Sequence, residues 1–328
     1  VYCLPMRVLV EQTYKNAVQW LERLGMLAGE VQTGDDSSGR FRYQPKPELD
    51  SLPTGWARAH GIEGTPIAVH ILMGGEEPTD WSLWPERDAI LIGTQDMLLS
   101  RALNRGYAAS RYRWPAEFGL LHIDSLWVFD EVQLMDAAVP TTAQLEGLRR
   151  QLHNSSDRPP LATSVWMSAT LDLDWLRTIN FDPYGTEPLS LSDEDLTDSE
   201  LRKRYLAPKQ LLQAASIMGD IAGCAREIQQ HHQEGSLTLA VFNTVEHAVQ
   251  VYDRLRQSLG TAGPKLVLIH SRFRSADREA KIRELLSQPQ NKGTIAVTTQ
   301  VVEAGVDISA KTLFTEVAPW ASLVQRFG

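Results

Sequence analysis

An apolar stretch, Leu126-Trp127-Val128-Phe129, runs directly into Asp130-Glu131-Val132-Gln133. A strand ending in two carboxylates delivers them to the carboxyl edge of a parallel sheet, where open α/β folds bind ligands. There Asp130 can hold Mg²⁺ directly or through water, and Glu131 can orient or deprotonate an attacking water. Such pairs also occur as plain solvated charge. Asp193-Glu194 follows no strand and reads as part of a polar linker. A second apolar run, Thr163 to Met167, leads into Ser168-Ala169-Thr170. Two hydroxyls at that edge can hydrogen-bond the carboxylates and relay their state to another domain. The alternative is a turn, or a cap at Thr170 for a helix-like Leu171 to Ile179.

A third strand end carries Thr298-Thr299-Gln300-Val301-Val302-Glu303-Ala304-Gly305-Val306-Asp307. Its hydroxyl and amide groups suit a nucleic-acid phosphate, and Asp307 suits a nucleotide facing it across a cleft. A strand-to-turn connection with Gly305 as the turn residue is the simpler alternative. Gly305 to Thr312 also imitates a phosphate-binding P-loop, but Ala310 replaces the second glycine and a strand-like run follows where a helix is required. The eight histidines are scattered, and no His-Asp dipeptide suggests a nuclease metal site.

These groups are positioned by apolar runs that alternate with amphipathic ones. Strands are predicted at Ile67 to Met73, Ala89 to Ile92, Leu126 to Phe129 and Thr163 to Met167. A second set covers Leu237 to Phe242, Lys265 to Ile269, Thr294 to Val297 and Thr312 to Val317. Being apolar throughout, they predict strands covered on both faces. Val10, Tyr14, Val18, Leu21 and Leu24 mark one face of a helix over Arg7 to Leu24, and Val245 to Leu259 and Ala276 to Leu286 read likewise. The alternation predicts parallel α/β sheets. A domain over 1–181, a linker over 182–208 rich in proline and acid, and a second domain over 209–328 are expected. The region 34–64 reads as a surface insertion.

At 328 residues the chain accommodates two domains, and 43% hydrophobic content supports a sizeable core. No apolar run reaches membrane-spanning length. The two isolated cysteines, Cys3 and Cys224, argue against a zinc site or disulfide framework and fit a cytoplasmic setting. A net charge of -9 excludes a protein that coats DNA by bulk charge, but permits a local basic groove. Val1 lies inside an apolar run and the chain stops at Gln325-Arg326-Phe327-Gly328 without a helix-ending signal, so both ends read as cuts through structure.

Taken in order, these segments resemble the motor of superfamily 2 DExH-type helicases. They are most similar to the helicase part of the type I CRISPR signature helicase-nuclease, in its I-G (formerly I-U) branch. Pro5 and Arg7, within Leu4 to Gln12, resemble motif Ia, and Gly93-Thr94-Gln95 the next DNA-contacting motif. Asp130-Glu131-Val132-Gln133 resembles motif II, with Gln133 where many relatives carry His. Ser168-Ala169-Thr170 resembles motif III, Asn243-Thr244 motif IV, and His270-Ser271-Arg272-Phe273 the following strand-end motif. Thr299 to Asp307 resembles motif V, and Gln325-Arg326 the start of motif VI.

The resemblance implies two RecA-like parallel-sheet domains in tandem, the first lacking its P-loop strand and helix. It implies ATP and Mg²⁺ as cofactors, with Asp130 as the metal ligand and Asp130, Glu131 and Gln133 as the catalytic set. Ser168, Thr170, Gln325 and Arg326 would couple the domains, and Gly305 and Asp307 would meet the nucleotide. Pro5, Arg7, Gly93, Thr94, Gln95, Asn243, Thr244, Ser271, Arg272, Thr299 and Gln300 would contact nucleic acid. Aromatic and arginine residues between Arg105 and Trp114 would add stacking, unless they form an exposed polar turn. The implied activity is ATP-driven 3′-to-5′ translocation on single-stranded DNA in antiviral interference. Its partners are a guide-RNA effector complex and a nuclease domain in the same or another chain. This chain alone is expected to be inactive, because the Walker A lysine and the motif VI finger arginines are not in it. A repair or RNA helicase, or a non-enzymatic nucleic-acid-binding module, are the competing expectations.

Overall fold

The computed structural model describes residues 1–32, 42–45, 66–76, 79–123, 125–154, 162–186, 188–216, 219–260, 263–289, 291–303, 306 and 308–327. The chain divides into two compact units, Val1–Pro183 and Tyr184–Gly328.

In the first unit five strands form one parallel sheet in the order β4-β5-β1-β6-β7, where β1 is Tyr2–Leu4, β4 Ala68–Leu72, β5 Ala89–Thr94, β6 Ser125–Phe129 and β7 Ala162–Trp166. Helix α1 (Arg7–Leu24) packs on β4 and β5 and ends at Gly25, whose φ of 69° gives the left-handed stop that glycine tolerates. On the opposite face lie α2 (Gln95–Ala102), α3 (Trp114–His122) and α4 (Ala138–Asn154). Leu98, Leu121, Val139 and Ala143 close there over Cys3, Leu91, Trp127 and Phe129.

The apolar runs of β6 and β7 are not covered on both faces. Register places Leu126 beside Thr163 and Val128 beside Val165 on one face, and Leu126 and Val165 are 54% and 43% exposed. No described element packs there, so hydrophobic content alone overstated the covering of this half of the sheet.

Within the region read as an insertion, Arg42–Pro45 form β3, which pairs antiparallel with β2 (Gly29–Gln32). The buried Tyr43 hydroxyl donates to Ala28 O at 2.7 Å and accepts from Val69 N of β4 at 3.4 Å, fastening the hairpin to the sheet. The remainder of 34–64 lies outside the described residues. The helix expected over Leu171 to Ile179 is only a short 3₁₀ turn, Leu173–Leu176, because the Asp172 carboxylate accepts from Asp174 N and Thr178 pairs back with Phe181.

The second unit holds a parallel sheet ordered β11-β8-β10-β9, with β8 Leu237–Val241, β9 Lys265–Ile269, β10 Thr294–Thr298 and β11 Thr312–Thr315. Here the expectation of two covered faces holds for the centre: every residue of β8 and β10 is buried. Ala240, Phe242, Ile295 and Val297 pack under α6 (Ile221–His231) and α7 (Val245–Leu259). Leu239, Val241 and Ala296 pack with Leu285 of α8 (Ser275–Leu286). Helix α9 (Trp320–Phe327) follows β11. The segment expected as a linker carries 3₁₀ turns at Pro183–Gly185 and Asp195–Thr197 and the short α5 (Ser199–Tyr205), capped by Asp198. Among the described residues, no helix is long and apolar enough to cross a membrane.

Candidate active site

Strand β6 ends at Phe129, and the chain turns sharply at Glu131, whose φ of 55° and ψ of 44° are left-handed for a non-glycine residue. That turn folds Gln133 back, so Gln133 Nε2 donates to Glu131 Oε2 at 2.6 Å. Ser168, just past β7, donates through Oγ to Gln133 Oε1 at 2.6 Å, and Thr170 N donates to Ser168 Oγ at 3.0 Å. Asp130, Glu131, Gln133, Ser168 and Thr170 thus belong to one hydrogen-bonded set at the carboxyl edge of the first sheet. The Gln133 amide is suited to the middle place, since it donates to a carboxylate and accepts from a hydroxyl at once. The Thr170 hydroxyl oxygen is buried and has no hydrogen-bond partner among the described residues.

Asp130 is held at both carboxylate oxygens. Oδ1 accepts from Glu131 N and Oδ2 from the Tyr2 hydroxyl, each at 2.9 Å. Burial, then the hydrogen bond to Asp130, push the Tyr2 phenol well above its usual range, so it remains a donor at neutral pH. Among the described residues no three His, Cys, Asp or Glu side chains cluster as a metal cage. Mg²⁺ is ordinarily bound by one or two carboxylates and completed by water and substrate phosphates. The donor set at Asp130 therefore fits Mg²⁺.

Pro5 and Arg7 follow β1, and Arg7 is exposed in the first turn of α1. Gly93, next to last in β5, lies beside Leu72 of β4: a Cβ on it would lie 2.5 Å from Leu72 O, so close strand packing also requires this glycine. Thr94 is the N-cap residue of α2, and Gln95 opens that helix.

In the second unit, Asn243 lies past β8 and is committed internally. Its N–H donates to Glu316 Oε2 at 2.6 Å, its Nδ2 to Val317 O at 2.8 Å, and its Oδ1 accepts from Arg326. Thr244 caps α7 by accepting from His247 N. Arg326 is buried, with its guanidinium on Glu303 at 2.7 Å, Thr315 Oγ1 at 2.6 Å and Glu316 O at 3.1 Å. Gln325 precedes it on α9. Ser271 and Arg272 are exposed after β9, while after β10 Thr299 is buried and Gln300 exposed. Gly305 and Asp307 lie outside the described residues. The P-loop imitation is excluded by β11, since a strand begins at Thr312.

Sequence reasoning missed Tyr2, Glu303, His247 and Glu316. Glu316 had a usable signal, an acidic residue at the end of an apolar run, but the predicted strand extended through it to Val317.

Residues 234–328 match the family described as CRISPR-associated nuclease/helicase Cas3, C-terminal. A putative CRISPR-associated nuclease/helicase Cas3 of Myxococcus xanthus is 32% identical over 222 residues, covering 66% of this chain and 26% of that protein. Another, from Methanocaldococcus jannaschii, is 32% identical over 107 residues, covering 31% of this chain and 14% of that protein. By these matches the chain is similar to superfamily 2 proteins of the Cas3 helicase type. It spans about a quarter or less of the length of these relatives. The crystal structure of T. fusca Cas3-ATP superposes with a TM-score of 0.59 at 16% identity, over 99% of this chain and 37% of that one. That likeness shows the fold: two RecA-like α/β sheets, with the strand-edge residues described above at their carboxyl ends.

Proposed function

We propose that this chain carries the core of an ATP-dependent translocase that moves 3′-to-5′ along single-stranded DNA in type I CRISPR interference, in the I-G branch. The observation that carries this reading is the hydrogen-bonded set of Asp130, Glu131, Gln133, Ser168 and Thr170 at the carboxyl edge of a parallel sheet. Asp130 would hold Mg²⁺, which draws charge from the nucleotide phosphates. Glu131 orients the attacking water and accepts its proton. Gln133 holds Glu131 in place and links it to Ser168, so a change at the nucleotide is felt at the end of β7. Gly305 and Asp307, which lie outside the described residues, are assigned to nucleotide binding. Gln325 begins the segment that couples the units, and Arg326 acts there by fixing the strand ends of its own unit.

Single-stranded DNA lies along the carboxyl edges and is held mainly through its backbone. Pro5, Arg7, Gly93, Thr94 and Gln95 meet it from the first unit, and Thr244, Ser271, Arg272, Thr299 and Gln300 from the second. Asn243 supports that surface through its internal hydrogen bonds. A guide-RNA effector complex delivers the DNA, and a nuclease domain in the same or another chain cuts it. The unpaired cysteines, Cys3 and Cys224, fit work in the cytoplasm.

The test is ATP hydrolysis by the full-length protein with and without single-stranded DNA. DNA stimulation that Glu131→Gln abolishes is the expected result. Stimulation by RNA but not DNA would replace this reading with an RNA helicase, and turnover unaffected by Glu131→Gln would remove Glu131 from the chemistry.

A further inference from the structure

Tyr2 belongs to none of the motifs above. Register pairs Tyr2 with Val128 across β1 and β6. Side chains on one face of a strand recur every second residue, so Tyr2, Val128 and Asp130 share a face. Strand side chains lean along the chain direction. The phenol therefore spans a two-residue rise of about 6.6 Å and donates to Asp130 Oδ2 at 2.9 Å. One residue further along β1, Cys3 O accepts the Asp130 backbone N–H at 3.1 Å. Neighbouring residues of β1 thus grip the main chain and the carboxylate of the same aspartate.

Packing alone does not call for a hydroxyl at this position, because a phenylalanine ring would fill the same volume. Each carboxylate oxygen has two lone pairs. The Tyr2 hydroxyl takes one on Oδ2 and the Glu131 N–H takes one on Oδ1. The remaining pair on each oxygen is left in a fixed direction. The hydrogen bond leaves the carboxylate its charge and fixes its orientation.

We propose that Tyr2 is a positioning residue whose hydroxyl, by its contact with Asp130 Oδ2, aims this carboxylate at the metal before the nucleotide arrives. The proposal rests on the reading of Asp130 as the Mg²⁺-holding residue. Removing the partner that orients a metal ligand commonly weakens metal affinity by about 10–100-fold.

Full-length wild type, Tyr2→Phe and Asp130→Asn are compared, with Mn²⁺ as a paramagnetic probe in the presence of a non-hydrolysable ATP analogue. Affinities are taken at a temperature where all three remain folded, so lost structure cannot imitate lost binding. Tyr2→Phe is expected to weaken Mn²⁺ by on the order of tenfold with its thermal midpoint unmoved, and Asp130→Asn to abolish the bound signal. If Asp130→Asn leaves Mn²⁺ affinity intact, the underlying assignment of Asp130 fails and takes the role of Tyr2 with it. If Asp130→Asn abolishes binding but Tyr2→Phe binds as tightly as wild type, or more tightly, the Tyr2 proposal alone is overturned. A lower thermal midpoint with unchanged affinity would make the hydroxyl structural and overturn it equally.

Discussion

Glu131 adopts a left-handed backbone, which costs a non-glycine residue about 1–2 kcal/mol, and its surroundings hold it there. Val132 N donates to Met167 O at 3.2 Å, and Gln133 seizes the Glu131 carboxylate. The strain is offset locally and sets the direction of the side chain that the proposed chemistry needs. A different residue in the same unit contributes to the response to acid. His70 on β4 is 3% exposed, its Nδ1 has no hydrogen-bond partner among the described residues, and burial pushes its pKa down to about 4, against a smaller opposing pull from Asp80. The folded state thus keeps His70 neutral, while the unfolded chain takes up a proton below about pH 6.5. The contribution is complete above that pH and is lost as pH falls towards 4. Between pH 7 and 5 the loss attributable to His70 is about 2 kcal/mol, measurable by urea unfolding at the two pH values. His70→Leu should flatten this dependence, and an equally steep one in the variant would assign the acid sensitivity elsewhere.

At the scale of elements, the carboxyl edge of the second sheet is tied together by Arg326. It joins the ends of β8, β10 and β11 through Asn243, Glu303, Thr315 and Glu316, with the Arg326 and Glu303 side chains 1% and 7% exposed. Removing one partner of a buried ion pair strands the other charge and commonly costs about 3–5 kcal/mol. Arg326→Ala should lower stability by that amount in guanidinium unfolding, and a loss below about 1 kcal/mol would mean that water replaces the guanidinium easily. Most of this architecture was legible in the sequence. Strands and long helices follow from local periodicity, and α1 and α7 fall on their predicted bounds. The hairpin partner β3 was not legible, because four residues between prolines and charge carry no distinct period. Nor was the ladder from Glu131 to Thr170, whose hydroxyls read equally well as a turn or a cap. The Tyr2–Asp130 bond joins positions 128 apart, which become neighbours only once β1 inserts between β5 and β6. The Arg326 network likewise needs the parallel register of β8, β10 and β11 before its members converge.

For the whole molecule, a net charge of -9 means that the proposed hold on DNA would rest on a few cations rather than on a general field. Arg7 and Arg272 are exposed at the carboxyl edges of their sheets, whereas Arg326 is buried. The loop between α2 and α3 offers a different kind of contact. Tyr107 and Tyr112 are 67% and 96% exposed there, and the loop is shaped by left-handed Asn104, Gly106 and Ala108 and by Trp114 Nε1 donating to Ala109 O. Phosphate contacts and stacking respond differently to salt, which separates them. Each phosphate neutralised on a single strand contributes about -0.7 to the slope of log affinity against log salt. Stacking of one base on an aromatic side chain is worth about 1–3 kcal/mol and is largely independent of salt. Fluorescence anisotropy of a labelled single strand, titrated across salt concentrations, reads both quantities. Arg272→Ala should make the slope shallower by about 0.7, and Arg326→Ala should leave it unchanged at temperatures where the protein is folded. Tyr112→Ala should lower affinity by a constant factor at every salt concentration if the loop lies on the strand. A Tyr112→Ala curve superimposable on wild type would remove the loop from the DNA path, and an Arg272→Ala slope equal to wild type would remove the end of β9 from it.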